Sequence, residues 1–261
     1  MRKYILLLLL LVISYAPAYG SSLIVVRTDS GVIIGADSKR LRGTKEDLSY
    51  AQAELVCKIV RADNIFIASA GIAGILPYGR AKIPEQFDLT EIMNKAALNG
   101  GSIMDKADSL SKAVDGALLR ISDWAKKKMP SFFDKMFIGK QVLQVVVAGL
   151  EKGSPAIVIM AFEPRLSPSG ELKINVESRP CPGIGCPSGS VYILMGRHEA
   201  IDRYLPADPR IWENDPAEVV RELIEIEVTS ESETVGAPID VVRITKEGSE
   251  WVQEKDMCKD H

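Results

Sequence analysis

Histidine is scarce in this chain of 261 residues: there are two, His198 and His261, and the second is the last residue. A metal site built on several histidines is therefore excluded by count. A Ser-His-Asp triad would have to use His198, and the sequence has no Gly-x-Ser-x-Gly motif to supply its serine. We expect His198 to lie at a helix start or on the surface.

Cysteine is also sparse, with four residues and no Cys-x-x-Cys pair, so a structural zinc site is not indicated. We predict no metal and no cofactor. Cys181 and Cys186 are close in sequence, and in an oxidising compartment we expect a local disulfide between them. Cys57 and Cys258 could be free or paired. We expect Cys57 to be a small core residue.

The chain has no strong charge of either sign, since its formal net charge is −3. A mildly acidic protein is a poor candidate for binding nucleic acid or an anionic membrane. Apolar residues make up 46% and charged residues 26% of the sequence, a balance typical of an ordinary globular domain.

A membrane-spanning apolar run is missing as well. Ile5 to Ile13 is apolar but too short for a spanning helix, which needs about 20 residues. It follows the basic pair Arg2-Lys3 and precedes small residues, the layout of a secretory signal peptide. We predict a signal over 1–20 and one domain over 21–261, exported to the periplasm or outside the cell. Cleavage after Ala18 would release Tyr19, and cleavage after Gly20 would release Ser21.

Apolar periodicity and turn residues predict the secondary structure. We expect 38–53 to be a loop, Pro130 to end the longest helix, and the tail after Thr245 to be polar and without a strand. Because strands cluster and helices cluster, two packed sheets with outer helix layers are favoured over βαβ units. The predicted hairpins are 23–37, 55–70 and 142–162, the further strands 172–176, 191–195 and 239–245, and the helices 88–98, 104–127, 199–204 and 216–228.

Ser21 is the residue around which a function can be built. A serine at a chain terminus carries a hydroxyl and a free α-amine, which pairs a nucleophile with its own base. Small polar residues are also common after signal cleavage, so Ser21 alone could be a simple cleavage product.

The sequence that follows Ser21 resembles the start of a mature proteasome β-type subunit. That family begins with a nucleophilic threonine and continues into a Gly-Val-rich strand that ends in an Asp-Ser-Arg-like unit. The spacing from Ser21 to Asp37 is the family's spacing without a gap. Further similar segments follow in the family's order: Cys57-Lys58-Ile59, Ser69 to Gly74, and Val145 to Leu150 with Gly153-Ser154-Pro155.

The resemblance implies an α+β, four-layer αββα sandwich and an N-terminal nucleophile (Ntn) hydrolase that cleaves amide or peptide bonds. It implies that Ser21 is the nucleophile, that Asp37 holds Lys58 charged beside it, and that the N–H of Gly71 faces the oxyanion. It also implies self-cleavage of the Gly20–Ser21 bond and assembly into homo-oligomeric rings. Weaker matches assign supporting roles to three residues: Glu231, Thr234 and, at the pocket entrance, Ser69.

The chain departs from the family pattern at three places. Serine replaces threonine, the loop between Asp37 and Lys58 is about five residues longer, and Gly196 lies where the family has a Gly-Ser-Gly unit. Two alternatives to a peptidase stay open: a catalytically silent binding or assembly module, and an amidase of a small molecule.

Overall fold

The computed structural model describes residues 20–43, 50–72, 74–75, 87–184, 186, 189–205, 214–231 and 233–259. The predicted signal peptide lies outside these residues except for Gly20. None of the helices in the described part of the chain is long and apolar enough to cross a membrane.

Most of the strands belong to two five-stranded sheets. In chain order the strands are β1 (Ser22–Arg27), β2 (Gly31–Ala36), β3 (Lys39–Gly43), β4 (Tyr50–Leu55), β5 (Ile59–Ala62), β6 (Ile65–Gly71), β7 (Gly74–Ile75), β8 (Phe87–Asp88), β9 (Leu143–Glu151), β10 (Ser154–Leu166), β11 (Leu172–Cys181), β12 (Val191–Gly196), β13 (Asp240–Thr245) and β14 (Gly248–Gln253). The first sheet has the order β12-β1-β2-β13-β14 and the second the order β11-β10-β9-β6-β5. All their ladders are antiparallel.

In the described segments five α-helices accompany the sheets: α1 (Leu89–Leu98), α2 (Ile103–Lys128), α3 (Pro130–Met136), α4 (Glu199–Tyr204) and α5 (Pro216–Ser230). Ser102 and Asp105 form a capping box at the start of α2, which fixes where this 26-residue helix begins. Lys126, Lys127 and Lys128 occupy its last turn, where positive charge is favoured by the helix dipole.

Three apolar clusters define the layers. One lies between α1–α3 and the second sheet, one between the two sheets, and one between α4–α5 and the first sheet. Strand β1 contributes to two of these clusters. Leu23 and Val25 lie in the cluster between the sheets, and Ile24 and Val26 lie in the cluster that faces the helices. A strand with apolar side chains on both faces must be covered on both faces. The molecule is thus a mixed α+β protein with two stacked antiparallel sheets and helices outside.

The predicted hairpins over 23–37 and 142–162 are confirmed by the ladders β1–β2 and β9–β10. The hairpin predicted over 55–70 is shorter than expected: β5 begins at Ile59, and Leu55 belongs to β4. The helices predicted over 88–98, 104–127, 199–204 and 216–228 are found as α1, α2, α4 and α5.

Two predictions about chain segments are wrong. The predicted loop over 38–53 contains β3 and β4, because strand pairing satisfies the backbone even where the side chains are charged. Pro130 does follow the end of α2, as predicted, and it also begins α3, since proline at the first helical position loses no intrahelical hydrogen bond. The polar tail contains β14, whose Trp251 packs against Phe66 with ring centroids 6.0 Å apart.

Glu227 forms hydrogen bonds between helices α4 and α5, which pack together through apolar side chains. This buried carboxyl on α5 accepts hydrogen bonds at its Oε1 from the backbone N–H groups of Ala200 at 2.7 Å and Ile201 at 3.0 Å. Its Oε2 is buried, and among the described residues it has no hydrogen-bond partner. Burial raises the pKa of Glu227, against the lowering effect of the two backbone donors, and the nearby charges of Glu199 and Glu231 raise it further.

We predict that Glu227→Gln makes the protein less sensitive to rising pH. A carboxyl whose pKa is raised on folding favours the folded state when protonated, so its contribution is lost as pH rises through the folded pKa. The urea midpoint of the wild type should therefore fall relative to Glu227→Gln as the pH rises above the ordinary glutamate pKa of 4.5. The exposed Glu250→Gln is the control. A midpoint difference between the wild type and Glu227→Gln that does not change with pH contradicts the prediction.

Candidate active site

The first hairpin places Ser21 beside Asp37. Ser21 immediately precedes β1 and Asp37 immediately follows β2, so the start of one strand lies next to the end of the other. The backbone N–H of Asp37 donates to the carbonyl of Ser22 at 3.1 Å, and the N–H of Ser22 donates to Asp37 Oδ1 at 3.0 Å. The predicted spacing therefore has a physical basis in the antiparallel pairing.

Lys58 reaches the pair from the second sheet, where it immediately precedes the edge strand β5. Its Nζ donates to Ser21 Oγ at 2.8 Å and to Asp37 Oδ1 at 2.5 Å. Ser21 and Lys58 are each 3% exposed, and Asp37 is fully buried. With so little water present, hydrogen bonds and charge interactions among the three groups are stronger than they would be on the surface.

Asp37 is held by donors from several parts of the chain. Besides Ser22 and Lys58 at Oδ1, its Oδ2 accepts from the backbone N–H groups of Lys39 and Gly236, each at 3.0 Å. Gly236 lies in the segment that leads into β13. These bonds leave the carboxylate little freedom to turn away from Lys58.

The pKa of Lys58 is lowered, chiefly because burial disfavours the charged ammonium. The charge of Asp37 and its hydrogen bond oppose this shift, whereas the positive charges of Lys255 and Arg40 add to it. A lysine whose pKa is lowered becomes neutral, and so able to accept a proton from a neighbouring hydroxyl, at a lower pH than an exposed lysine does. Asp37 was expected to keep Lys58 charged, and it acts in that direction, but burial outweighs it.

The backbone of Ser21 is fixed by the end of β12. The N–H of Arg197 donates to the carbonyl of Ser21 at 2.6 Å, and Gly196 pairs with Ser22. Gly196 has φ +74°, and a Cβ there would lie 2.0 Å from the Ser21 carbonyl oxygen. Its N–H donates to Gln144 Oε1 at 2.7 Å. Only glycine fits between Ser21 and this turn.

Gly71 ends β6 with φ +112°, and a Cβ there would lie 2.5 Å from the carbonyl oxygen of Val142. The preceding Ala70 has its Cβ 3.0 Å from the Cβ position built on Gly196, so the end of β6 lies close to the Gly196–Ser21 contact. Ser69 is buried within β6 opposite Val145.

Glu231 and Thr234 lie next to residues that contact or precede Ser21. Arg197 Nη2 donates to Glu231 Oε2 at 2.7 Å, and the N–H of Thr234 donates to the carbonyl of Glu231 at 2.9 Å. A Cβ on Gly20 would lie 2.6 Å from the carbonyl oxygen of Thr234. Glu231 thus acts on Ser21 through Arg197, and Thr234 contacts the residue before Ser21.

The structure joins the cysteines as Cys57–Cys258 and Cys181–Cys186. Cys57 is therefore half of a disulfide and not a small core residue, because the chain end brings Cys258 to within 5.7 Å between Cα atoms. His198 lies at the N-terminal cap of α4, as predicted, with Nδ1 2.8 Å from Asp202.

Sequence reasoning missed four residues at or beside this site: Arg197, Gly236, Asp240 and Lys255. The first two act through backbone N–H groups, so residue type gives no signal for them. Asp240 begins an apolar strand, a position at which a charged residue could have been suspected of burial, whereas Lys255 follows the polar strand β14 and gives no such signal.

In the part of the chain that the structure describes, no group of three His, Cys, Asp or Glu side chains could hold a metal ion. No protein-family model matches the chain, and a search of the curated proteins finds no match.

We predict that Gly196→Ala disrupts the site far more than Gly170→Ala. Both glycines have a left-handed backbone, but a Cβ at Gly170 meets nothing within 4 Å, whereas one at Gly196 meets the Ser21 carbonyl. The strain common to both is about 1 kcal/mol, and the collision adds to it only at Gly196. Urea denaturation should show a several-fold larger loss of stability for Gly196→Ala. Equal losses would mean that Gly196 does not confine Ser21.

Proposed function

We propose that this chain is an exported N-terminal nucleophile hydrolase that cleaves amide bonds, most simply peptide bonds, through Ser21. The observation that carries the proposal is the contact of Lys58 Nζ with both Ser21 Oγ and Asp37 Oδ1 in a buried site. A serine hydroxyl is a weak nucleophile until a neighbouring group takes its proton. A buried lysine with a lowered pKa, held by a fixed carboxylate, is suited to that exchange.

The order of the sheet and helix layers also supports the proposal of an Ntn hydrolase. Two stacked antiparallel sheets with helices on both outer faces are what the sequence resemblance implies for an αββα hydrolase. The Ser21–Asp37–Lys58 arrangement falls at the ends of β1, β2 and β5, where residues of both sheets meet.

Before any cleavage the backbone nitrogen of Ser21 forms the peptide bond with Gly20, and as an amide it cannot serve as a base. We propose that neutral Lys58 accepts the proton of Ser21 Oγ, and that Oγ attacks the carbonyl carbon of Gly20. The lysine proton then passes to the departing Ser21 nitrogen. The resulting ester between Gly20 and Ser21 Oγ is hydrolysed by water, which leaves a carboxylate on Gly20 and a free α-amine on Ser21.

After this cleavage the same residues serve an external substrate. The α-amine, with an ordinary pKa of about 7.7–8.0, can take the Ser21 hydroxyl proton near neutral pH. Oγ attacks the substrate carbonyl, the amine product leaves with that proton, and an acyl ester on Ser21 remains for water to hydrolyse. We assign the N–H of Gly71 to the oxyanion, a contribution of about 3 kcal/mol where such a donor is removed from other enzymes.

Export fits the chemistry of the cysteines. The described structure has two disulfides, which persist in oxidising compartments and are rare in a reducing cytosol. With the basic and apolar signal pattern of residues 2–13, they support a periplasmic or secreted enzyme. A homo-oligomer remains an expectation from the family resemblance.

We predict that a peptide α′,β′-epoxyketone modifies Ser21 and that two new bonds form. Such a probe needs a hydroxyl to attack the ketone and a free amine on the same residue to open the epoxide. Mass mapping of the purified protein should place the adduct on an N-terminal Ser21. Ser21→Ala should keep its uncut N-terminus and take no label. Ser22→Ala, at the neighbouring buried serine, is the control and should still be cut and labelled.

An unlabelled wild type whose first residue is Ser21 would overturn the hydrolase proposal and favour the silent binding module. Identical N-termini in the wild type and Ser21→Ala would overturn self-cleavage. A panel of peptide and small amide substrates then separates a peptidase from a small-molecule amidase.

We predict that Gly20→Ala slows self-cleavage by about 10- to 100-fold. The added Cβ would meet the carbonyl oxygen of Thr234 at 2.6 Å and its Cβ at 2.9 Å, so the carbonyl of residue 20 must move relative to Ser21 Oγ. A displacement of about 1 Å is enough for a loss of this size. Intact mass against time measures the rate. Gly100→Ala, where a Cβ meets nothing within 4 Å, should mature normally. An unchanged rate in Gly20→Ala would contradict the prediction.

A further inference from the structure

A second buried ion pair lies next to the first. Lys255 Nζ is 2.7 Å from Asp240 Oδ2, and the backbone N–H of Lys255 donates to Asp240 Oδ1 at 2.8 Å. The side chain of Lys255 is 0% exposed and that of Asp240 is 1% exposed. Removing two charges from water costs free energy, so the other contacts of this buried pair matter.

The pair touches the two segments that carry the Lys58 site. Asp240 is aligned with Ala36 in the β13–β2 ladder, so it lies beside the residue that precedes Asp37. Lys255 Nζ also donates to the carbonyl of Val56 at 3.1 Å, two residues before Lys58. The pair therefore bridges the end of β2 and the approach to β5.

The disulfide Cys57–Cys258 fixes this bridge covalently. Cys57 is adjacent to Lys58, and Cys258 lies three residues after Lys255, in a short 3₁₀ turn over Asp256–Cys258. Cys258 Sγ is 3.8 Å from Asp240 Oδ2. The chain end is thereby held against the segment that presents Lys58.

The two pairs are also coupled through their charges. The charged groups that act on Lys58 are Asp37, Lys255 and Arg40, and Arg40 is itself paired with Glu54. The positive charge of Lys255 lowers the pKa of Lys58, and the charge of Asp37 in turn raises the pKa of Lys255. Two lysines and two aspartates thus form one buried cluster, with Asp240 offsetting Lys255.

We propose that Lys255 and Asp240 are positioning residues that hold the Val56–Lys58 segment and set the electrostatic potential in which Lys58 and Ser21 exchange a proton. The inference rests on the proposed function for its catalytic meaning. The charge coupling itself is a property of the folded protein, whether or not Ser21 reacts.

Opposite charge changes should move the titration of Lys58 in opposite directions. Lys255→Met removes a positive charge and leaves Asp240, so the Lys58 ammonium is better stabilised and its midpoint rises by about one pH unit. Asp240→Asn removes the negative charge that offsets Lys255, so the Lys58 midpoint falls over the pH range in which Lys255 stays protonated. In Lys255→Met/Asp240→Asn the two changes offset each other, and the midpoint should lie between those of the single variants.

The measurement is an NMR titration of full-length protein with ¹³C-labelled lysine, in which the Lys58 signal is assigned by its loss in Lys58→Arg. Variants are first checked for folding by circular dichroism. If Lys255→Met does not fold, Asp240→Asn and the double variant carry the test. Lys106→Met is the matched control, since Lys106 is also buried, at 4% exposure, but donates to the carbonyls of Ala97 and Asn99. It should leave the Lys58 midpoint unchanged.

Shifts of opposite sign in the two single variants support the proposal. A midpoint that fails to move in either folded single variant, or that moves in the same direction in both, overturns it. The rate of self-cleavage as a function of pH, in which Lys58 is the proposed base, gives the second readout: its acidic limb should shift upward in Lys255→Met. If Lys58 titrates as expected but wild-type Ser21 takes no label, the hydrolase proposal fails while the coupling of the two pairs stands.

Discussion

The ion pair between Lys58 and Asp37 is the interaction on which the site depends. An ammonium and a carboxylate that are both out of contact with water are stable only together, and removal of one partner typically costs about 3–5 kcal/mol. The pair also ties the second sheet to the first, because Lys58 precedes β5 and Asp37 follows β2. Lys58 Nζ comes within hydrogen-bond distance of Ser21 Oγ only because this link between the sheets is made.

The strand order of the first sheet explains which other segments contact the residues at the start of β1. Strand β1 has β2 and β12 as neighbours, so the residues at its start meet the end of β2 on one side and the end of β12 on the other. On one side the side chain of Asp37 accepts from the backbone N–H of Ser22, and on the other the backbone N–H of Arg197 donates to the carbonyl of Ser21. β1 is an interior strand of its sheet, and apolar side chains cover both of its faces.

The segments around Ser21 leave no space for larger side chains at two positions. Gly196 and Gly20 each lie where a Cβ would strike the backbone of another segment, Ser21 for the one and Thr234 for the other. The second pair, Lys255–Asp240, and the disulfide Cys57–Cys258 brace the segment before Lys58 from the chain end. The lysine that we propose exchanges a proton with Ser21 is thus supported by residues about 200 positions away in the sequence.

The sequence by itself determined the layer order and the first half of the site. Apolar periodicity predicted the hairpins and helices, and the spacing from Ser21 to Asp37 followed from a single tight hairpin, which is local information. The family resemblance named Lys58, but only the tertiary structure decided that its Nζ contacts Ser21, and that Arg197, Gly236 and Lys255 reach the site through long-range packing or through backbone groups common to every residue type. It also showed that burial outweighs Asp37 in setting the pKa of Lys58, because solvent exclusion is a property of the folded molecule and leaves no mark in local sequence.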